Sequence, residues 1–284
     1  MAITNFVPDV WSANVLENLS RVSVAAAVTN NDYEGDASNG DSVKITSFTD
    51  PSITAYVAHA DITVEAVTDA TRALALDQFQ SFAFAIDDIE KAQSVDGGKV
   101  LETQLRRAAY GLANVLDTYV LAAIGTGASA SAPDHQIAEA TISTAADAYD
   151  ALVDWSVLLD EADVPEQDRY AVLTPALYGK LLKDDRFVAA GDAAGSDARA
   201  NGRVGQAAGF EVYKSNNLPD GPGAGAGTSM LAGSRSACTL AEQVRSVEAG
   251  RQELRFNDFV KGLHVYGAKV TRDTAIVSAD IIVS

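Results

Sequence analysis

The residues whose types could do chemistry are spaced in ways that argue against most of it. The three histidines, His59, His135 and His264, form neither an H-E-x-x-H motif nor an i, i+4 pair, so they mark no zinc site. His264 alternates with Leu263 and Val265 and is expected to face solvent or a neighbouring chain. The single cysteine, Cys238, stands between Ala237 and Thr239 without a visible base, and a thiol lacking an electropositive neighbour is not activated. It also leaves no partner for an internal disulfide. Asp32, Glu34 and Asp36 alternate as calcium ligands can, but the sixth position holds Ala37 instead of glycine and the twelfth Val43 instead of glutamate. Asp87, Asp88 and Glu90 read as charges at the start of a helix, where acids are stabilising. The run from Pro219 to Thr228 is glycine-rich, yet Thr228 stands where a phosphate loop needs lysine, and no dinucleotide fingerprint is present. No cofactor or metal is expected. The remaining catalytic reading is an enzyme whose site gathers scattered acids such as Asp32, Asp87 and Asp163.

The elements that would position such groups look architectural. A chain that is 47% hydrophobic can bury a sizeable core. With 21 basic against 39 acidic residues, the net charge of -18 disfavours a dedicated nucleic-acid binder. The N-terminus lacks the layout of a secretory signal, and no stretch is expected to reach the roughly 18 apolar residues of a membrane span. Synthesis in the cytoplasm is expected.

After Pro8, the spacing of Trp11, Val15, Leu16 and Leu19 predicts a short amphipathic helix, and residues 30–41 a polar loop. Between 43 and 86 the period is two, with Val43 and Ile45, Ile62 and Val64, then Phe82, Phe84 and Ile86. This predicts an antiparallel ribbon too thin to bury itself, expected to lie on another surface. Leu101, Leu105, Ala108, Leu112, Val115, Tyr119 and Ala123 predict a helix from about 98 to 123, stopped by Gly125 and Gly127. Ala148, Leu152, Trp155 and Leu159 predict another, Tyr170–Thr174 a buried strand, and Pro175 a helix start. A glycine-punctuated turn feeds a strand at Phe210–Tyr213, which breaks at Asn216, Asn217 and Pro219. Glu242, Glu248, Arg251, Glu253 and Arg255 read as a solvated mixed-charge face, and Ala275–Val283 as a closing strand. The class is α+β.

Several of these segments, in this order, resemble the major capsid proteins of tailed bacteriophages of the Hong Kong 97 type. They are Trp11-Ser12, the turn Asn30-Asn31-Asp32-Tyr33-Glu34-Gly35, Ile86-Asp87-Asp88 to Gln93, Val164-Pro165 through Arg169-Tyr170 to Thr174-Pro175, Gly202 to Pro219, and Phe259 to Tyr266-Gly267. The likeness spans most of the chain and is nearest to the short-tailed Salmonella phage coat group, without room for that protein's inserted domain. It implies an N-arm at 1–38 and an E-loop at 39–86. A peripheral domain at 87–143 and 241–284 would hold a spine helix at about 98–124, and an axial domain would occupy 144–240, its loop 221–227 near a capsomer axis.

The implied function is self-assembly into an icosahedral head shell around double-stranded DNA, with no enzymatic activity. The implied partners are the chain itself in hexamers and pentamers, a portal protein, packaged DNA held nonspecifically, and no membrane. Self-scaffolding relatives carry a long segment before the N-arm, so a separate scaffolding protein is expected here. Subunit-contact candidates on the arm and ribbon are Trp11, Tyr56, Val57, Ile62, Val64, Leu74 and Leu76. Some relatives crosslink the E-loop through a lysine; residues 45–90 contain none, which implies noncovalent assembly. The rival reading is a nanocompartment shell of the encapsulin type, with the same fold around an enzyme cargo.

Overall fold

The fold was obtained as a computed structural model that describes residues 24–32, 42–48, 52–53, 55, 61, 65–66, 68–89, 99–128, 135–184, 205–221, 227–252 and 255–284. The amphipathic segment Trp11–Leu19, the residues Tyr56, Val57, Ile62 and Val64, and the run 222–226 lie outside them. In chain order the elements are α1 (Ala25–Val28), β1 (Ser42–Phe48), β2 (Asp69–Ala75), β3 (Gln78–Asp87), α2 (Lys99–Gly127), β4 (Gln136–Ile142), α3 (Ala145–Glu161), β5 (Arg169–Leu173) and α4 (Pro175–Leu181). There follow β6 (Gln206–Ala207), β7 (Phe210–Lys214), β8 (Thr228–Ser234), β9 (Cys238–Arg251), β10 (Asn257–Val270) and β11 (Ile276–Val283). Mixed helix and sheet is what the periodicities predict.

Helix α2 organises the molecule. Its 29 residues span about 43 Å at ~1.5 Å each, long enough to serve two cores. Toward its N-terminal half Leu105, Leu112 and Ala113 pack on Val247 of β9 and Val260 of β10, with Phe82 and Phe84 alongside. Toward its C-terminal end Leu116, Val120, Leu121 and Ile124 join the main core. By length and composition Thr103–Gly127 could cross a membrane, contrary to the expectation that no stretch would. Here its apolar stripe is covered by the two sheets, as in a core helix. The helix runs through Gly125 and ends at Gly127, where a Cβ would lie 2.4 Å from Val270 Cγ2. Gly127 therefore serves a close approach of helix and strand as well as a stop.

The smaller sheet has the order β3-β10-β9, all antiparallel. Val260, His264 and Tyr266 lie on its α2 side; Leu263 and Val265 lie on the other, beneath the β1–β2 hairpin. A register shift in β9 between the partners of Leu263 and His264 keeps both strands' apolar residues on their faces despite the extra residue. This sheet divides the expected ribbon. β1 pairs only with β2, whereas β3 leaves them and pairs with β10 from Gln78↔Tyr266 to Asp87↔Asn257. The sequence period is two in all three strands, and period alone does not choose a partner.

The larger sheet runs β4-β11-β8-β5-β7-β6, with β4–β11 and β5–β7 parallel and the rest antiparallel. Every residue of β5 is buried, as the apolar run Tyr170–Leu173 demands for all but its first position, Arg169. Helix α3 buries Ala148, Leu152, Trp155 and Leu159, the four positions that its spacing picks out. Thr144 starts it with a capping box: its hydroxyl accepts the Asp147 amide at 3.2 Å, and the Asp147 carboxylate accepts the Thr144 amide at 2.9 Å. Arg169, buried on β5, holds the helix exit by donating to the Asp160 carboxylate at 2.7 Å and the Pro165 carbonyl at 3.0 Å. The β6–β7 turn is Ala208-Gly209 with φ of 49° and 84°, the positive pair that a two-residue type I′ hairpin requires.

Candidate assembly surfaces

The polar residues singled out by type are dispersed. Asp32 closes a small turn, its amide donating to Asn30 Oδ1 at 2.7 Å, while Asp87 caps the start of the following turn by accepting the Ile89 amide at 2.9 Å. Asp163 ends α3 with φ of 53°. Each has a local structural task on a different element. Among the described residues no group of three His, Cys, Asp or Glu could hold a metal ion. Cys238 is buried, and burial pushes its thiol up to about 12. Gly221 and Gly227 bracket the run outside the described residues. The Gly221 amide donates to the Gly227 carbonyl at 2.9 Å, and a Cβ on either would strike the buried Asp280 carboxylate. These two glycines serve packing around Asp280.

His264 does not face solvent or a neighbour. It is 2% exposed, with Nε2 3.3 Å from a carboxylate oxygen of Glu242 and its ring 5.0 Å from that of Tyr266. Regular alternation along β10 from Val260 puts it on the α2 side, and alternation cannot reveal that this face is the covered one. Glu242 accordingly turns inward and leaves the expected mixed-charge face, whereas Glu248 remains outside, 2.7 Å from Lys261. Arg251 meets Asp88, and Glu253 lies outside the described residues. Next to His264, Tyr266 stacks edge-on with Tyr119 of α2 at 5.5 Å, and Tyr119 donates to Asp77 at 3.2 Å. Burial raises both phenols, Tyr266 to about 12. This cluster ties α2 to the point where the chain leaves the hairpin for β3.

The hairpin foot packs on the small sheet of its own chain. Leu74 and Leu76 are buried with Val43 and Ile45 against Ala241 and Val265 of the same chain. Their apolar surface is thus covered within one subunit. Gly267 permits the close crossing, since a Cβ there would lie 2.0 Å from the Ala75 carbonyl oxygen. Farther out, the Ser52 amide donates to Glu65 at 3.1 Å, and the Ser52 hydroxyl also bonds that carboxylate, lowering its pKa. Residues 24–30 are anchored separately. Asp117 of α2 accepts the amides of Val24 and Ala25 at 3.2 and 3.0 Å, and Asn30 bridges to Thr239 at the edge of β9.

What remains exposed and apolar is spread over outward faces. Phe79 on β3, Ile89 and Phe256 at the far end of the small sheet, Tyr110 on α2, and Val153 and Val157 on α3 are the large examples.

Comparison with known proteins agrees with that geometry. Residues 69–279 match the family described as phage capsid protein, well over half of the 284. A solved structure of Mycobacterium phage Che8 is similar with a TM-score of 0.75 and 28% identity, covering 90% of each chain. The capsid of cyanophage P-SCSP1u is similar with a TM-score of 0.70 and 21% identity over 87% of this chain and 85% of that one. The mature capsid of bacteriophage PhiM1 is similar with a TM-score of 0.65 and 16% identity over 89% and 87%. No curated protein matches the chain. Two sheets joined by one long helix, with a hairpin crossing the smaller of them, form the Hong Kong 97-type capsid fold, and this chain belongs to the phage capsid protein family as a major capsid protein.

Proposed function

We propose that this chain builds the head shell of a tailed bacteriophage around double-stranded DNA, as hexamers and pentamers, and has no catalytic role. The family match over residues 69–279 carries this reading, and the dispersal of the acidic residues supports it. In this reading residues 1–38 are the N-arm and the hairpin from 39 is the E-loop. Residues 87–143 and 241–284 form the peripheral domain with α2 as its spine, and residues 144–240 the axial domain, whose sheet also takes in β4 and β11. Trp11, Tyr56, Val57, Ile62 and Val64 are its contact candidates beyond the foot, because Leu74 and Leu76 are already covered. A separate scaffolding protein and a portal complete the assembly, which takes place in the host cytoplasm, and kinship with the short-tailed Salmonella phage group belongs to the same reading.

Negative-stain electron microscopy of the chain expressed alone and with its scaffolding partner tests this. Closed shells are expected; monomers under both conditions refute it. Boiling the particles in denaturant should yield one subunit-sized band, given the absence of lysine from 45–90, and a ladder of multiples would refute noncovalent assembly. Particles carrying a protein cargo and no DNA after infection would favour a nanocompartment instead.

A further inference from the structure

Among the described residues, the outer edge of β3 is a long strand edge without any of the usual protections. The order β3-β10-β9 makes β3 a terminal strand, and among the described residues no strand pairs with its other side. It is 10 residues long, about 33 Å of backbone donors and acceptors. From Gln78 to Ile86 it contains no charge and no proline, although the whole chain carries -18. Helix α2 covers its inward row only in part: Phe82 and Phe84 are stacked with centroids 6.3 Å apart and remain half-buried. On the outward row Phe79, Ser81, Ala83 and Ala85 are exposed, Phe79 by 66%. Long, uncharged, apolar edges recruit another strand, and natural proteins blunt them with charge, proline or cover when no partner is intended. The opposite edge of the sheet is treated differently, since Asn30 bridges to β9 at Thr239.

The side chains of β3 are complementary to themselves. Antiparallel pairing of two copies about Phe82 sets Phe79 opposite Ala85 and Ser81 opposite Ala83 on the outward face, so that large meets small. On the inward face Gln80 meets Phe84, and the two Phe82 rings meet. We propose that β3 pairs with β3 of a second copy across a two-fold axis, forming a six-stranded sheet that spans two subunits of the shell. This rests on the capsid reading, which supplies the second copy at high local concentration. A two-fold seam is closed on itself and joins subunits in pairs. Its ends limit it: Asp77 falls opposite the partner's Asp87, so the register cannot lengthen and the pairing strengthens as salt screens those carboxylates.

The test is a paired cysteine variant. Opposed residues in an antiparallel pair have Cβ atoms about 4.5–5.5 Å apart, near disulfide range. S81C/A83C therefore places two cysteine pairs across the seam, while S81C alone places none opposite another. Cys238, buried and protonated, stays silent. Particles oxidised and run on a non-reducing denaturing gel should show a dimer band at least tenfold stronger for S81C/A83C than for S81C, and stronger at high than at low salt. Monomers from intact S81C/A83C particles overturn the seam and leave the capsid reading standing. Equal dimer in both variants overturns the register. If the unsubstituted chain forms no particles, the capsid reading fails, and the same gel on concentrated soluble protein decides the seam.

Discussion

Two glycines of the same type should respond to alanine with opposite signs. At Gly267 the added methyl would lie 2.0 Å from the Ala75 carbonyl oxygen and 3.1 Å from Leu76 Cα, so the backbone of β2 must retreat by about 1.4 Å to reach an ordinary contact at 3.4 Å. That retreat lifts Leu74 and Leu76, which are 0% and 4% exposed, off Val265 and Ala241. Overpacking of this kind costs about 1–3 kcal/mol, and full burial of each leucine is worth about 1.5–3 kcal/mol, of which a fraction is lost. Gly267→Ala should therefore destabilise by about 3 kcal/mol. Gly111, in the middle of α2, has nothing within 4 Å of its added Cβ. Gly111→Ala should stabilise by roughly 0.5–1 kcal/mol through the lower chain entropy of the unfolded state. Urea unfolding of the unassembled subunit, followed by circular dichroism, measures both. If Gly267→Ala stays within ~0.5 kcal/mol of the parent, a cost below even the overpacking range, the hairpin does not cross β10 as described.

Trp155→Ala, which empties a site 2% exposed in the main core, should cost about 3–5 kcal/mol in the same assay; a cost below 1 would contradict that burial. Asp117→Ala leaves the Val24 and Ala25 amides without their acceptor and should cost about 2–4 kcal/mol, with faster hydrogen exchange at those two amides; unchanged exchange there would refute the anchor. Cys238 should resist thiol reagents at pH 8 until denaturant is added, and labelling of the native protein would disprove its burial. Because its folded-state pKa is raised from the ordinary 9.0 to about 12, its contribution to stability is complete below about 9 and disappears as pH rises toward 12. The fall in melting temperature between pH 8 and 11 should accordingly be smaller in Cys238→Ala, and an equal fall would argue against the thiol.

Elements whose evidence is local were legible from the residues alone. α3 declares itself through four apolar positions on one face, and β5 through the apolar run Tyr170–Leu173, because burial on one or both faces leaves a periodic trace. Composition and the scatter of acids argued against a catalytic or metal site from the residues alone. Tertiary structure decided what depends on partners distant in sequence. Whether β3 belongs with β2 or with β10 is a question of pairing between segments more than 170 residues apart, and both strands have the same period. The bulge in β9 turns Glu242 to the face that His264 already occupies, and the crossing of α2 covers it; alternation places a side chain on one face or the other and does not say which face is covered. Gly127 reads as a helix stop in the sequence, and only the fold shows that it, like Gly267 in β10, is where another element comes too close for a Cβ.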